Sequence, residues 1–373
     1  MGKASAMIFS RGWVLCVLLT VGGFVQPLLA GVYGPDPCSI CGQAITGTIY
    51  LGTDKTTGEK KMVCGTCVRL PDCIICSLPV GAGGIQLADG RHLCARDAKT
   101  VVLKASEVER ISFQVRDELD RLFSRFAEFP KQVEVSAIDR IDVDDMFHPD
   151  GNDFESPNLL GCIKTEEVEG VKHFKMRVMT GLPLTELKAT CAHELSHGVV
   201  AHTCNLEYHG EPGALNEHFA DVFGVLTEQW SLGQTADKAS WLVGAEILGP
   251  KAGIKAIRTF KGEKAFAGDP LFGTDPQPKH MKDFYNGEDD DGGVHINSGI
   301  PNHAFFLAAS ALGGKAWETV GPVWYKALSA LDRQSGLKDA ARTTWEIARR
   351  LYGPKSREAA AVKAGWKGVG LGV

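Results

Sequence analysis

The sequence HELSH at residues 193–197 constrains this 373-residue chain more than any other pattern, because its spacing is useful only on a helix. Residues four positions apart lie on one face of a helix, so the imidazoles of His193 and His197 can hold a single zinc ion. Glu194 would then lie beside a water molecule bound to that ion. Five-residue patterns of this kind also arise by chance, so the interpretation depends on the residues that follow.

A second amphipathic helix is predicted over residues 213–230, where apolar residues recur at helical spacing. Glu217 lies on this helix, 20 residues after His197. A carboxylate there could complete a two-histidine, one-glutamate zinc site and leave one position open for water. Asp221, one turn further along, is placed to accept a hydrogen bond from a ligand imidazole and so to fix its tautomer and orientation.

Two segments resemble the active-site segments of the thermolysin-like zinc metallopeptidases, which are gluzincins with an HExxH pattern and a distant glutamate. They are HELSHGVVAHTCNLEYHGEPGALNEHFADVFG, which begins at His193, and DDDGGVHINSGIPNHAF at residues 289–305. The resemblance covers roughly residues 189–331, and the β-rich N-terminal half of that family is missing before Thr190. It implies a zinc-dependent endopeptidase that acts on peptide or protein substrates.

The same resemblance implies that His193, His197 and Glu217 bind the catalytic zinc, that Glu194 is the general base and that Asp221 braces His193. The expected chemistry is consistent with these roles. Zinc lowers the pKa of a bound water toward ~7 and makes it a nucleophile. Glu194 would take the proton of that water and later deliver it to the leaving amine.

Four further residues have roles implied by the resemblance. Tyr208 and His295 would stabilise the negative charge that develops on the substrate carbonyl oxygen, where one well-placed donor is typically worth ~3 kcal/mol in the barrier. Asp290 would orient His295. Arg258, in the sequence IRTF, would hold a substrate carbonyl group.

Two other functions are compatible with the same residues. In the first, the chain is a binding or regulatory protein whose HELSH site is idle. Idle sites usually lack the glutamate or a ligand, and neither is lost here. In the second, the chain is an aminopeptidase or a zinc hydrolase of small amides, although nothing in the sequence indicates a pocket for a free N-terminus.

Seven of the eleven cysteines fall within residues 38–94, which predicts a small module held together by metal ions or disulfides. Three C-x2-C pairs and one C-x2-D pair suit two tetrahedral structural zinc sites. The first predicted site comprises Cys38, Cys41, Cys64 and Cys67. The second comprises Cys73, Cys76, Cys94 and Asp97, with His92 as a competitor for the last position.

A disulfide framework is the alternative, since the cysteines of exported proteins tend to oxidise. The odd number of cysteines argues against full pairing, and zinc is favoured. The module resembles a LIM domain, with Cys64 where that family usually has histidine, which implies a structural or partner-binding role. The order of signal sequence, LIM-like module, amphipathic helix and HExxH resembles the LIM-plus-peptidase plant organ-size regulators and their exported bacterial relatives.

The N-terminus is predicted to be a secretory signal peptide over residues 1–30. Lys3 and Arg11 flank an apolar run at residues 13–25, and Ala30 offers a cleavage site. The run is shorter than the ~20 residues that span a bilayer, so a membrane contact is expected only if the signal peptide stays uncleaved. We therefore expect a secreted, periplasmic or extracellular protein. The net charge is −5 without a dense Lys/Arg block, which argues against a nucleic-acid partner.

The predicted fold is α+β, with the LIM-like module at residues 31–98, a connecting part at 99–185 and a mainly helical thermolysin-like catalytic lobe at 186–373. The connecting part is predicted to contain an amphipathic helix and three short strands, over residues 107–129, 133–138, 161–165 and 172–180. The last of these is expected to be an edge strand that pairs with an extended peptide.

A calcium site is a further hypothesis. The acidic run at residues 288–291 could bind Ca²⁺ together with Asp269 or Asp275, because this ion prefers carboxylate and carbonyl oxygens. A solvated loop is the favoured interpretation of the run, apart from Asp290.

Overall fold

The computed structural model describes residues 26–28, 37–123, 133–139, 160–169, 171–245, 256–268 and 273–373. Its α-helices are α1 (Ala105–Phe123), α2 (Leu184–Thr203), α3 (Gly210–Ser231), α4 (Asp289–Asn297), α5 (Gly299–Leu312), α6 (Gly321–Leu328), α7 (Leu337–Tyr352) and α8 (Arg357–Gly368). The predicted α+β class and the helical C-terminal lobe are confirmed.

The strands of the described segments are short and form five small sheets. They are β1 (Gln26–Leu28), β2 (Ile49–Thr53), β3 (Lys60–Cys64), β4 (Ile85–Gln86), β5 (His92–Leu93), β6 (Val101–Val102), β7 (Val133–Ile138), β8 (Gly161–Val168), β9 (Val171–Met179), β10 (Leu182–Pro183), β11 (Leu242–Val243) and β12 (Arg258–Thr259). Apart from β1, the predicted signal peptide lies outside the described residues, as does the predicted end of the first helix, residues 124–129. In the described part of the chain, no helix has the length and apolarity that a bilayer crossing needs.

The cysteine-rich module consists of two hairpins with very small apolar cores. Strands β2 and β3 form one antiparallel hairpin, β1 from the predicted signal peptide pairs with β2, and β4 pairs with β5. Val63 is buried with Cys38 and Cys67 in one core, and Leu93 is buried with cysteines of the second half in the other. So few buried apolar side chains cannot stabilise a unit of this size without further links.

A short strand pair joins this module to the catalytic lobe. Val102 of β6 lies opposite Leu182 of β10, and the Gly181 N–H donates to the Val102 carbonyl at 2.7 Å. Strand β10 runs directly into α2. The module is therefore attached at the start of the helix that carries HELSH.

The prediction that residues 172–180 form an edge strand is wrong. This segment is β9, which lies in the middle of a three-stranded sheet, parallel to β7 on one side and antiparallel to β8 on the other. Its alternating residues Phe174, Met176 and Val178 are buried. Alternation reports which face of a strand is buried, but not whether both edges are paired.

Helices α2 and α3 pack against each other at the centre of the core. Every residue of α2 from 190 to 200 is buried, and α3 is buried from residue 213 to 227. A helix that is covered on all sides belongs to the interior of a protein. Polar side chains on the facing surfaces of these two helices are consequently shielded from water, which decides the chemistry of the site.

Candidate active site

Helices α2 and α3 bring together the three predicted zinc ligands. The Nε2 atoms of His193 and His197 are 3.0 Å apart. Glu217 reaches across from α3, with Oε2 3.7 Å from His193 Nε2 and Oε1 3.7 Å from His197 Nε2. All three side chains are buried, and their ligand atoms lie within 4.8 Å of one another.

The far nitrogens of the two imidazoles face acceptors. His197 Nδ1 lies 2.7 Å from Asn216 Oδ1, and His193 Nδ1 lies 3.2 Å from Asp221 Oδ1. Because these oxygens require Nδ1–H donors, both Nε2 atoms carry lone pairs and point at each other. Two lone pairs at 3.0 Å repel unless a cation lies between them. Glu217 Oε2, which is buried without a hydrogen-bond partner among the described residues, supplies the negative charge. The donor set therefore fits zinc.

Asn216 was missed by the sequence reasoning, although it precedes Glu217 directly. Its side chain is buried, and an amide on a helix face that is otherwise apolar is a signal that could have pointed to it.

Asp221 is held by more donors than the sequence predicted. Its Oδ1 accepts from Arg258 Nη2 at 2.7 Å, and its Oδ2 accepts from Asn302 Nδ2 at 2.9 Å. Burial alone would raise the pKa of Asp221, but Arg258 and His193 hold it well below its usual range. Arg258 lies on β12 with its Nε buried and unpartnered among the described residues, and it lines the cleft beside the site.

Glu194 lies next to the ligand group and has no hydrogen-bond partner in the described part of the chain. Burial raises the pKa of its carboxyl group to about 7. The backbone of β8 passes close by, since a Cβ atom at Gly161 would lie 3.3 Å from Glu194 Cγ. Glu194 and His193 form part of the wall of a cleft that continues between α2, α3, β11 and β12.

Tyr208, His295 and Asp290 form a second group on the other side of Glu217. The Tyr208 hydroxyl donates to Glu217 Oε1 at 2.5 Å and lies 3.3 Å from His295 Nε2. His295 Nδ1 is 2.6 Å from Asp290 Oδ1. Burial lowers the pKa of His295, but Glu217 and Asp290 outweigh it and raise the pKa to about 9.

The first part of α4 is a left-handed turn and not regular helix, and this turn positions Asp290. Residues 290–293 all have positive φ, from 50° to 81°, and the two non-glycine residues among them are Asp290 and Asp291. The turn lets Asp290 Oδ2 accept from the backbone N–H groups of His295 and Ile296 at 2.8 and 3.2 Å. Backbone strain of this kind is characteristic of functional sites.

The cysteine residues form two compact groups, as the spacing predicts. The ligand atoms of each group lie within 4.8 Å of one another, and the seven thiols are free. The groups are Cys38, Cys41, Cys64 and Cys67, and Cys73, Cys76, Cys94 and Asp97. Asp97, and not His92, completes the second group. Arg96 connects the two halves of the module, since it contacts Asp97 at 2.7 Å and Asp54 at 2.5 Å.

Two of the predicted calcium ligands, Asp275 and Asp289, have other partners. Asp275 accepts from the backbone N–H groups of Ala265 and Gln277 at 2.9 Å, and Asp289 accepts from the Tyr285 hydroxyl. Asp269 lies outside the described residues. Among the residues that the structure describes, no cluster of side chains that could hold a metal ion includes a residue of the acidic run.

The comparisons with known proteins agree with this geometry. Residues 204–371 match the family model of the thermolysin metallopeptidase α-helical domain. An extracellular metalloprotease of Pectobacterium carotovorum subsp. carotovorum is 42% identical over 184 residues, which are 49% of this chain and 52% of that protein. Protease PrtS of Photorhabdus sp. is 48% identical over 187 residues, 48% of this chain and 49% of that protein.

A solved structure extends the similarity. The precursor of protealysin, a metalloproteinase from Serratia proteamaculans, has a TM-score of 0.56 and 30% sequence identity. The match covers 77% of this chain and 84% of that one. The chain nevertheless spans only about half the length of the curated relatives that it matches.

Proposed function

This chain belongs to the thermolysin family of metallopeptidases, and on that premise we propose that it is an exported, zinc-dependent endopeptidase. The observation that carries the proposal is the buried group of His193, His197 and Glu217 beside the unpartnered carboxylate of Glu194. Relatives that are named extracellular proteases support both the reaction and the location.

A zinc ion held by His193, His197 and Glu217 would supply Lewis acidity and would lower the pKa of a water molecule toward ~7. Glu194 has to accept a proton from the attacking water and pass it to the leaving amine. Because burial raises its pKa to about 7, both its charged and its neutral form are accessible near neutral pH. Neither oxygen has to break an existing hydrogen bond in the described part of the chain to exchange that proton.

His295 and Tyr208 are the proposed donors to the carbonyl oxygen as negative charge develops on it. Glu217 and Asp290 raise the pKa of His295 to about 9, which favours the protonated ring, and the contact of Nδ1 with Asp290 directs Nε2 toward Tyr208. Burial raises the pKa of Tyr208 well above its usual value, so the phenol remains a donor. The Tyr208 hydroxyl, which donates to Glu217 Oε1, has to turn toward the substrate oxygen, whereas His295 is held by Asp290 and does not have to reorganise during the reaction.

The substrate is proposed to lie as an extended segment along β8 instead of β9. Among the described strands, β8 is the outer one of its sheet and packs against α2, and Gly161 at its start lies against Thr190 and Glu194. A peptide that adds to a sheet edge uses backbone hydrogen bonds for affinity. Arg258, which lines the cleft, is the proposed donor to a substrate carbonyl.

The cysteine-rich module is proposed to be a LIM-like unit with two structural zinc ions, as in the LIM-plus-peptidase proteins. Both ligand groups are closed sets of four, which suits a structural or partner-binding role better than catalysis. We divide the chain into a signal peptide (1–30), the module (31–98), a connecting part (99–185) and the catalytic lobe (186–373).

The decisive experiment compares the purified wild-type chain with Glu194→Gln, which keeps the size of the side chain but removes the general base. We expect three zinc ions per chain in both proteins, and chelator-sensitive cleavage of casein and of an internally quenched peptide in the wild type alone. Fully zinc-loaded wild type that cleaves neither substrate would favour a binding protein. Products released only from the N-terminal end would favour an aminopeptidase.

A further inference from the structure

A chain of buried hydrogen bonds runs from α6 to the carboxylate that braces His193. Trp324 Nε1 lies 2.7 Å from His218 Nε2, and His218 Nδ1 lies 2.7 Å from Asn302 Oδ1. Asn302 Nδ2 donates to Asp221 Oδ2 at 2.9 Å. Trp324, His218 and Asn302 are 0% exposed, so water cannot replace any of these bonds.

The direction of every hydrogen bond in this series follows from its first donor, Trp324. An indole N–H can only donate, so His218 Nε2 must accept. The proton of the neutral His218 is therefore on Nδ1, which donates to Asn302 Oδ1. With its oxygen occupied in this way, Asn302 must turn its NH₂ group toward Asp221. Trp324 thus sets the tautomer of His218, and His218 sets the orientation of the Asn302 amide.

Asp221 needs two donors to be fixed in place. Arg258 binds Oδ1, which also faces His193 Nδ1, and a carboxylate held at a single oxygen can still rotate about its Cβ–Cγ bond. Asn302 binds the other oxygen, Oδ2, and removes that freedom. The plane of the carboxylate then determines the direction in which the His193 ring presents its Nε2 lone pair.

We propose that Trp324, His218 and Asn302 are positioning residues that orient His193, through Asp221, as a zinc ligand. This inference rests on the proposed zinc site. Substituting groups that orient a metal ligand typically lowers metal affinity by 10–100-fold. In a buried network the loss of one donor also leaves its partner without a hydrogen bond, so the effect of one substitution is transmitted through the network.

The chain offers a matched control. Trp366 is also 0% exposed, stacks against Trp324 with the two ring centroids 6.1 Å apart, and donates from Nε1 to Thr344 Oγ1 at 2.8 Å. Trp366→Phe therefore loses a buried indole and a buried hydrogen bond of the same kind as Trp324→Phe. Only Trp324→Phe removes a donor from the network that ends on Asp221.

The test measures the zinc dissociation constant of the full-length chain by competition with a chelator, counting the zinc that remains bound. In a parallel measurement, cobalt is bound in place of zinc. The absorption spectrum of the cobalt then distinguishes metal at the imidazole–carboxylate site from metal at the thiolate sites. We expect Trp324→Phe to weaken binding at the His193 site by about 10–100-fold and Trp366→Phe to leave it unchanged, with similar decreases in Tm. Equal zinc affinities in the two variants would overturn the proposal.

A second pair of variants covers the case in which Trp324→Phe does not fold. His218→Phe removes both hydrogen bonds, whereas His218→Gln can still accept from Trp324 and donate to Asn302, so we expect only the glutamine variant to restore zinc affinity. Failure of glutamine to rescue would also contradict the proposal. Peptide cleavage is not part of this readout. Wild type that binds zinc but cleaves no peptide would refute the proposed function and leave the positioning role intact.

Discussion

All but one of the charged residues of the candidate site face a neighbour of opposite charge. Asp221 faces Arg258 and His193, and His295 faces Asp290 and Glu217. Burial makes the pairing of Asp221 with Arg258 stronger than it would be in water, and an unmatched charge there correspondingly more costly. The exception is Glu194, whose carboxylate has no hydrogen-bond partner among the described residues and whose pKa burial raises to about 7. A buried carboxylate whose pKa is near neutrality is suited to accepting and releasing a proton.

At the residue scale, His295→Ala tests the donor to the developing negative charge. Removal of one such donor typically costs about 10²–10³-fold in kcat. We expect a decrease within this range, with the zinc content unchanged because His295 is not one of the three proposed ligands. Steady-state kinetics together with metal analysis measure both quantities. His173→Ala, an exposed position on β9, serves as the control and should retain wild-type kcat. An unchanged kcat in His295→Ala would remove this residue from the mechanism.

At the scale of elements, the close packing of β8 on α2 positions the general base. A Cβ atom at Gly161 would lie 2.8 Å from Thr190 Cγ2, which is closer than van der Waals contact allows. The pairing of β8 with β9 and of β9 with β7 holds the strand in this place. A change in the position of β8 is therefore expected to shift α2 beside Glu194.

Gly161→Ala tests this contact. We expect the free energy of unfolding to fall by ~1–3 kcal/mol through overpacking, and kcat/KM to fall by about tenfold or more, because displacing catalytic groups by ~1 Å can cost ~10²-fold. Denaturant unfolding and peptide hydrolysis measure the two effects. Gly372→Ala is the matched control, since a Cβ atom there meets nothing within 4 Å. Full activity in Gly161→Ala would show that the strand does not position Glu194.

At the scale of the whole molecule, the two halves depend on different forces. The catalytic lobe has one large apolar core that includes α2, α3 and the C-terminal helices, whereas the module has two cores of a few side chains each. Metal binding supplies the folding free energy of small domains with closed four-ligand sites. The module is consequently expected to depend on zinc for its fold, and the catalytic lobe is not.

Removal of all metal with a strong chelator under reducing conditions tests this division. We expect amide hydrogens in residues 37–99 to lose their protection from exchange, while those of α2 and α3 keep theirs. Hydrogen–deuterium exchange read by mass spectrometry resolves the two regions. Without reductant, persistent protection of the module would indicate the disulfide framework instead of zinc. Persistent protection with reductant present would mean that its small cores suffice.

The sequence by itself determined what depends on local spacing. Residues four apart share a helix face whatever surrounds them, so HELSH required His193 and His197 to lie together. Paired cysteines three positions apart likewise predicted two compact groups. Its place on a second predicted helix made Glu217 a candidate ligand, but a 20-residue separation does not specify how two helices pack, so the sequence supported this role mainly through the resemblance to a known segment.

Only the tertiary structure decided the interactions between distant segments. The sequence of β9 indicates a strand, but its pairing on both sides depends on β7 and β8, and so the predicted edge strand was wrong. Asn302 and Trp324 lie more than 80 residues from the groups on α3 that they contact. Periodicity is a property of consecutive residues, whereas these contacts arise when elements bury their apolar faces against one another and leave their polar atoms to find partners in the interior.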